Sequence, residues 1–277
     1  MNDLFQRHLL DQLAFWLVWW NAHVFQPALH LKKLGLYTPA TLGERPTPGV
    51  LKGGGPSLTL KTEGPELLAE EPEAYGGVRA FDAMAEGYEA FVRPFSDPIV
   101  EETVALMRPF LSPSARILDP SCGPGSAAIR LSSLVPEGEV IAADLSRGMV
   151  EAAHANAKAK SCRNMGFFQA DVARPPVAFA GYFDAVFCCL SFHHYPDGEG
   201  AARAFREVLA PHGKAFIADP GPAWYVALAR TISVLADPGF VMHRTGEEFQ
   251  RLFKGAGFSS VYWVEVLPGI GVTIASA

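Results

Sequence analysis

From Arg79 to the C-terminus, short apolar runs alternate with amphipathic stretches of helical length, the pattern of an α/β fold with a mainly parallel sheet. Seven strands are expected: RILDP, EVIAAD, NMGFFQAD, FDAVFCCL, GKAFIAD, VYWVEV and GVTIAS. Helix-length segments separate the first five. The last two are joined only through Leu267 to Ile270, too short for a crossover helix, so they are expected to pair as a terminal antiparallel hairpin.

The first 78 residues are patterned differently. Residues 1–36 read as a helix, with no proline before Pro27 and a polar stripe of Asp3, Arg7 and Asp11. The stripe fails at Phe15 and Val18, so LAFWLVWW is apolar all round and must be covered by something. Its own domain, a second copy of the chain, a hydrophobic tunnel or a membrane surface would each serve. Residues 37–78 hold six prolines and eight glycines, including Gly53 to Gly55, and read as a linker before a domain spanning 79–277.

Composition removes several classes. A chain of 277 residues, 49% hydrophobic and 19% charged, can bury a large core. With 23 basic against 29 acidic side chains and no basic cluster, a nucleic-acid partner is not expected. Cys122, Cys162, Cys188 and Cys189 show no metal-ligand spacing and point to a reducing, cytoplasmic setting. The apolar run Leu13 to Trp20 is too short to span a membrane and lacks the features of a signal peptide.

The chemistry gathers after the first strand. Ile117-Leu118-Asp119 runs into Pro120-Ser121-Cys122-Gly123-Pro124-Gly125-Ser126-Ala127-Ala128, where glycines let the backbone approach a ligand. Gly123-x-Gly125-x-x-Ala128 matches a dinucleotide fingerprint, and Asp144 ends the next strand, where it would meet ribose hydroxyls. A nicotinamide-dependent oxidoreductase is therefore one reading. Asp119 favours another, because a carboxylate at that strand end repels a diphosphate and attracts a sulfonium or an ammonium group.

Together these segments resemble the class I S-adenosylmethionine-dependent methyltransferases, in particular the small-molecule group of ubiquinone and menaquinone biosynthesis, over roughly residues 79–277. The resemblance implies a Rossmann-like, seven-stranded, mostly parallel sheet with S-adenosylmethionine as cofactor. ILDPSCGPG is similar to the family's glycine-rich loop, with Ser121 where the first glycine is usual. In VIAADLSRGMV, the resemblance gives Asp144 the ribose hydroxyls and Leu145 and Met149 the adenine. Asp171 and Val172 fall where the family binds the adenine amino group and ring, and Cys188 where a strand end faces the methionine moiety. Tyr88 aligns with a helix folded over the cofactor. Each residue also has an ordinary structural reading: Asp144 as a helix cap, Asp171 as a solvated turn, Tyr88 as a core aromatic.

His193 and His194 follow the fourth strand at the carboxyl edge, and either imidazole suits proton abstraction from an acceptor. His194 is preferred, since similar proteins keep a histidine before the Pro-Asp pair. No acidic metal cluster is evident, so no metal is expected. The long segment DPGPAWYVALARTISVLADPGFVMHRTGEEF is used by family members as a substrate lid. Its apolar content and the aromatic helix suggest a hydrophobic small-molecule acceptor such as a quinone, polyketide, terpenoid or lipid-like metabolite, methylated on O or C. The helix remains available for a homodimer or a membrane surface. A catalytically silent interaction module on the same fold is the third class.

Overall fold

The computed structural model describes residues 15–51, 64–68, 76–85, 87–237 and 239–277. The stripe of Asp3, Arg7 and Asp11 lies outside them. The strands are β1 (Thr41–Leu42), β2 (Arg116–Asp119), β3 (Glu139–Asp144), β4 (Met165–Gln169), β5 (Phe183–Cys189), β6 (Leu209–Pro220), β7 (Ser260–Leu267) and β8 (Ile270–Ser276). They form one sheet in the order β1-β7-β8-β6-β5-β2-β3-β4. From β2 to β6 the strands are parallel, and β7, β8 and β1 join antiparallel. All seven expected strands are present, and the last two form the expected hairpin. The turn between them places Gly269 at φ +88°, in left-handed backbone that suits glycine.

The eighth strand comes from the segment expected to be a linker. Thr41 and Leu42 pair with Val264 and Trp263, Leu51 bridges to Leu111, and Glu66 bridges to Phe168. Two-residue pairings carry no periodicity, so composition alone could not distinguish this docked strap from a free tether.

The central strands are buried on both faces, which is why they read as unbroken apolar runs. Alternate side chains point to opposite sides. Ile117, Val140 and Phe187 enter one core, while Leu118, Ile141 and Val186 enter the other. Among the described residues, eight longer helices flank the sheet. In α1, residues 15–20 are helical, Asn21–Phe25 widen to a π turn, and Gln26–Lys33 continue. The others are α2 (Gly76–Met84), α3 (Tyr88–Met107), α4 (Ser126–Ser132), α5 (Arg147–Ala159), α6 (Gly198–Val208), α7 (Ala223–Ala236) and α8 (Gly246–Gly255). A reciprocal capping box between Thr245 and Glu248 fixes the start of α8, satisfying two end groups at once.

The chain passes from β2 to β3 on one side, whereas β5 and β6 lie on the other, so the sheet reverses direction beside β2. At such a switch point the loops after adjacent strands diverge and leave a crevice. Asp119, Asp144, Cys189 and Asp219 all stand at or near strand ends on this edge.

α1 covers that edge only in part. Phe25 is fully buried, its ring 5.2 Å from that of Phe95, and Trp20 packs 5.4 Å from Tyr225. Phe15, Trp16 and Val18 remain more than half exposed. Within a single chain, therefore, only the inner face of this helix is covered. Phe25→Ala should remove about 3 kcal/mol of docking energy. The expected outcome is faster hydrogen exchange across residues 15–33 with little change in the strands, read by mass spectrometry.

Candidate active site

The glycine-rich loop leaves β2 and enters α4 through Gly123 (φ +51°) and Gly125 (φ +87°). Cys122 N–H donates to Ala143 O at 2.9 Å, and Asn156 Nδ2 donates to Pro124 O at 2.9 Å, which ties the loop to β3 and α5. Among the described residues, left-handed backbone outside glycine occurs at Ser161, Leu190 and His212. Ser121 is not one of them. It therefore replaces the usual glycine without strain, and its Oγ meets Tyr195 Oη at 2.5 Å.

Asp144 accepts from Gly123 N–H and from Ser146 N–H, each at 2.9 Å. One carboxylate thus fixes both the loop and the start of α5, while a carboxylate can accept about four hydrogen bonds in all. Burial lifts its pKa to about 6. Asp82, from α2, accepts from Ser146 Oγ at 2.5 Å and Gly148 N–H at 2.9 Å, pinning α2 across the same helix start. Asp119 is almost fully buried, and burial followed by repulsion from Asp144 pushes its pKa to about 8. A cation placed beside it would restore the ionised form.

Asp119, Ser121, Gly123, Asp144 and Ser146 line one cavity of about 1410 Å³. Single-ligand pockets run to roughly 300–1,000 Å³, so there is room for two molecules side by side. Of the residues expected to bind the cofactor, Tyr88, Asp119, Ser121, Gly123, Asp144, Leu145, Met149, Asp171 and Val172 all line it. Two do not. Gly125 faces α5, where a Cβ would stand 2.9 Å from that of Ala153. Cys188 is fully buried, with its sulfur 3.2 Å from Ser191 Oγ, and Cys189 lines the cavity instead. Strand alternation causes this one-residue exchange. Asp171 Oδ1 accepts from Ala173 N–H at 2.9 Å, so it shapes its own turn as well as the cavity wall.

Leu190, at φ +54°, bends the chain sharply after β5 and sends Phe192–His194 into a short 3₁₀ turn over the edge. Both histidines reach the cavity there. His193 Nδ1 lies 2.6 Å from Asp219 Oδ1, and its Nε2 lies 3.3 Å from Asp237 Oδ2. His194 Nε2 lies 2.9 Å from the same Asp237 oxygen. Burial disfavours a charge on His193, yet Asp219 and Asp237 overcome it and lift its pKa to about 10. Burial and then the neighbouring His193 lower that of His194. Asp237 is held well below the carboxylate range by hydrogen bonds from both rings, against the effect of burial. His243 joins the cluster, its ring 4.7 Å from that of His193, and burial takes its pKa down to about 4.

Asp82, Asp219, Asp237 and His243 are not among the residues expected from the sequence. Asp219 shares with Asp119 and Asp144 a place at a strand end, a signal that could have found it. Asp237 and His243 sit in a loop more than forty positions after the histidine pair, with no motif around them.

Asp144→Ala should weaken binding of S-adenosylhomocysteine by roughly 1–3 kcal/mol through lost charge-assisted contacts. Titration calorimetry reads this directly, and unchanged affinity would remove Asp144 from the ribose site.

Comparison with known proteins agrees with this geometry. A family described as "Methyltransferase domain" matches residues 117–213, from β2 into β6. The demethylmenaquinone methyltransferase of Thermus thermophilus is 34% identical over 107 residues, 39% of this chain and 48% of that protein. The 27-O-demethylrifamycin SV methyltransferase of Amycolatopsis mediterranei is 32% identical over 147 residues, 51% of this chain and 53% of that protein. The chain therefore spans about half the length of these relatives. Among solved structures, a SAM-dependent methyltransferase from Aquifex aeolicus superposes with a TM-score of 0.55 at 18% identity, covering 70% of this chain and 97% of that one.

Proposed function

We infer that this chain is a class I S-adenosylmethionine-dependent methyltransferase resembling those of menaquinone and ubiquinone biosynthesis, and that it transfers a methyl group to oxygen or carbon of an apolar small molecule. The cofactor supplies the reactive methyl, with its adenosyl half against Asp144, Leu145, Met149, Asp171 and Val172, and its charged half against Asp119. The protein's part is alignment, exclusion of water and care of the acceptor's proton. His193 and His194 are the proposed acceptor-side groups. His193 is held between two carboxylates, so its orientation is fixed, while His194 retains a neutral ring suited to accept a proton.

The observation that carries this reading is one cavity joining the glycine loop to an apolar chamber. The chamber walls include Trp16, Trp20, Phe81, Tyr225, Ile232 and Phe240. Such a lining selects an apolar acceptor with few polar groups. The relatives named for a menaquinone precursor and a rifamycin support a quinone or polyketide-like acceptor. None of the relatives named here is an oxidoreductase. No helix among the described residues is long and apolar enough to cross a membrane. We also propose that α1, whose Trp16, Leu17 and Trp20 line the cavity, closes the acceptor end of the chamber.

The test is ligand-dependent stability. S-adenosylhomocysteine should raise the melting temperature by several degrees, because a ligand that binds only the folded state stabilises it, and NAD should not. The reverse outcome would reinstate the oxidoreductase. Transfer of a labelled methyl group to a prenylated quinol, and much less to its tail-less analogue, would place the apolar chamber in acceptor recognition.

A further inference from the structure

We propose that His193, His194 and Asp237 form a binding site for one divalent transition-metal ion of the zinc type, open to the cavity. The inference rests on the geometry of this cluster alone and stands apart from the methyl-transfer reading. Asp237 Oδ2 lies 2.9 Å from His194 Nε2 and 3.3 Å from His193 Nε2, and the three donor atoms all fall within 4.8 Å of one another. Two donors each about 2.05 Å from an ion are about 2.9 Å apart at a right angle and about 3.4 Å apart at the tetrahedral angle. Both ring nitrogens therefore stand at ligand spacing from the Asp237 oxygen, and no more than 4.8 Å separates them from each other. Two histidines and one carboxylate on one side of an ion is a donor set that leaves positions free for water or substrate.

The surrounding contacts are those that hold metal ligands in place. His193 presents Nδ1 to Asp219, which is almost fully buried, so that Nε2 faces Asp237 and the cavity. A carboxylate on the far nitrogen of a histidine fixes its tautomer and makes it a better ligand. Asp237 is oriented as well, since its Oδ1 accepts from Gly239 N–H at 2.9 Å. Val241 and Met242 N–H both donate to His193 O, at 2.9 and 3.0 Å, which locks the loop carrying Asp237 and His243 onto the histidine turn. The charge balance favours a dication. The two carboxylates bring two negative charges into surroundings where uncompensated charge is costly, and a dication that takes the place of the His193 Nε2 proton would balance both. His243 Nδ1 is buried with no hydrogen-bond partner, a polar atom left unfilled beside the cluster. His193, His194, Asp237 and His243 all line the cavity, so a free coordination position would face the acceptor rather than the core.

The expectation of no metal arose because these ligands are scattered from position 193 to position 237 and meet only at the carboxyl edge. The experiment uses untagged protein stripped with a chelator and titrated with Co²⁺, read by its visible absorption, with Zn²⁺ measured by competition against a chromogenic chelator. One equivalent should bind per chain. Asp237→Ala and His194→Ala should each weaken binding at least about tenfold, and Asp219→Asn about 10- to 100-fold. Calorimetry with S-adenosylhomocysteine and the melting temperature report separately on whether each variant is folded and whether the cofactor reading holds. Absence of a cobalt spectrum in the unmodified protein would overturn the proposal and leave a proton as the cluster's occupant. So would metal binding that folded Asp237→Ala and His194→Ala variants leave unchanged.

Discussion

Gly125→Ala is expected to lower stability by roughly 2–5 kcal/mol, more than the same change at Gly123 in the same glycine-rich loop. Two costs act together. Gly125 holds φ +87°, which an L side chain adopts only with strain, about 1–2 kcal/mol. The added Cβ would also stand 2.9 Å from Ala153 Cβ and 3.1 Å from Ala153 Cα. Ala153 is fully buried on α5, and its Cα is backbone, so relief requires moving the helix. Since Asp144 and Asn156 tie that helix and loop together, the displacement would spread to the ribose position. Gly123→Ala provides the contrast. Its φ is +51°, yet no atom lies within 4 Å of where its Cβ would go. The fold should lose only about 1–2 kcal/mol there, while under the proposed function the new methyl would meet the bound cofactor. Thermal denaturation paired with calorimetry separates the two: a large drop in melting temperature for Gly125→Ala, and lost affinity with modest destabilisation for Gly123→Ala. A Gly125→Ala protein as stable as its parent would mean that the loop does not pack on α5 in this way.

Glycine positions such as these were legible because the chain writes them out in sequence: strand, turn, helix, then an acid after the next strand. The seven main strands were legible for a related reason. Ile117 and Leu118 both find a core, on opposite faces, so the pattern stays apolar wherever the sheet is covered on both sides. Thr41–Leu42 left no trace, because two residues pairing at an edge have no period to detect. Among the site residues, those inside a recognisable motif were expected from the sequence, whereas Asp237 and His243 on their loop, and Asp219 at the end of β6, were not. Asp82 arrives from α2 to cap α5, and Asp237 arrives on the loop after α7. Their approach depends on how separate elements fold over the edge, which spacing does not encode. The exchange of Cys188 for Cys189 has a different origin. The strand was placed correctly, but side-chain parity shifts with one residue of phase.

Asp119 makes the pH dependence of cofactor binding the sharpest test of the charged half of the site. Burial and the neighbouring Asp144 hold its folded-state pKa at about 8, against 3.8 for an ordinary aspartate. Raised in the fold, the group favours the folded, ligand-free protein while protonated. That stability is fully present below pH 3.8 and is lost as the pH climbs through about 8. Burial gives Asp144 the same sign, complete by about pH 6. His193 also has this sign, its contribution present in full below pH 6.5 and lost steadily from there as the pH climbs through about 10. A ligand bearing an ammonium group should reverse the trend for Asp119, because it binds best to the ionised form and so releases a proton on binding. Affinity for S-adenosylhomocysteine is therefore expected to rise about tenfold per pH unit between pH 6.5 and 7.5 and to flatten above 8. In Asp119→Asn the slope should disappear, and affinity at pH 8 should fall by at least about tenfold, the loss of one charge-assisted contact. The free Asp119→Asn protein should meanwhile lose less melting temperature than the parent between pH 6 and 8. Calorimetry at several pH values, in buffers of different ionisation enthalpy, counts the proton released. A flat profile in the parent would mean that no cationic group binds against Asp119 and would leave the end of β2 with a purely structural carboxylate.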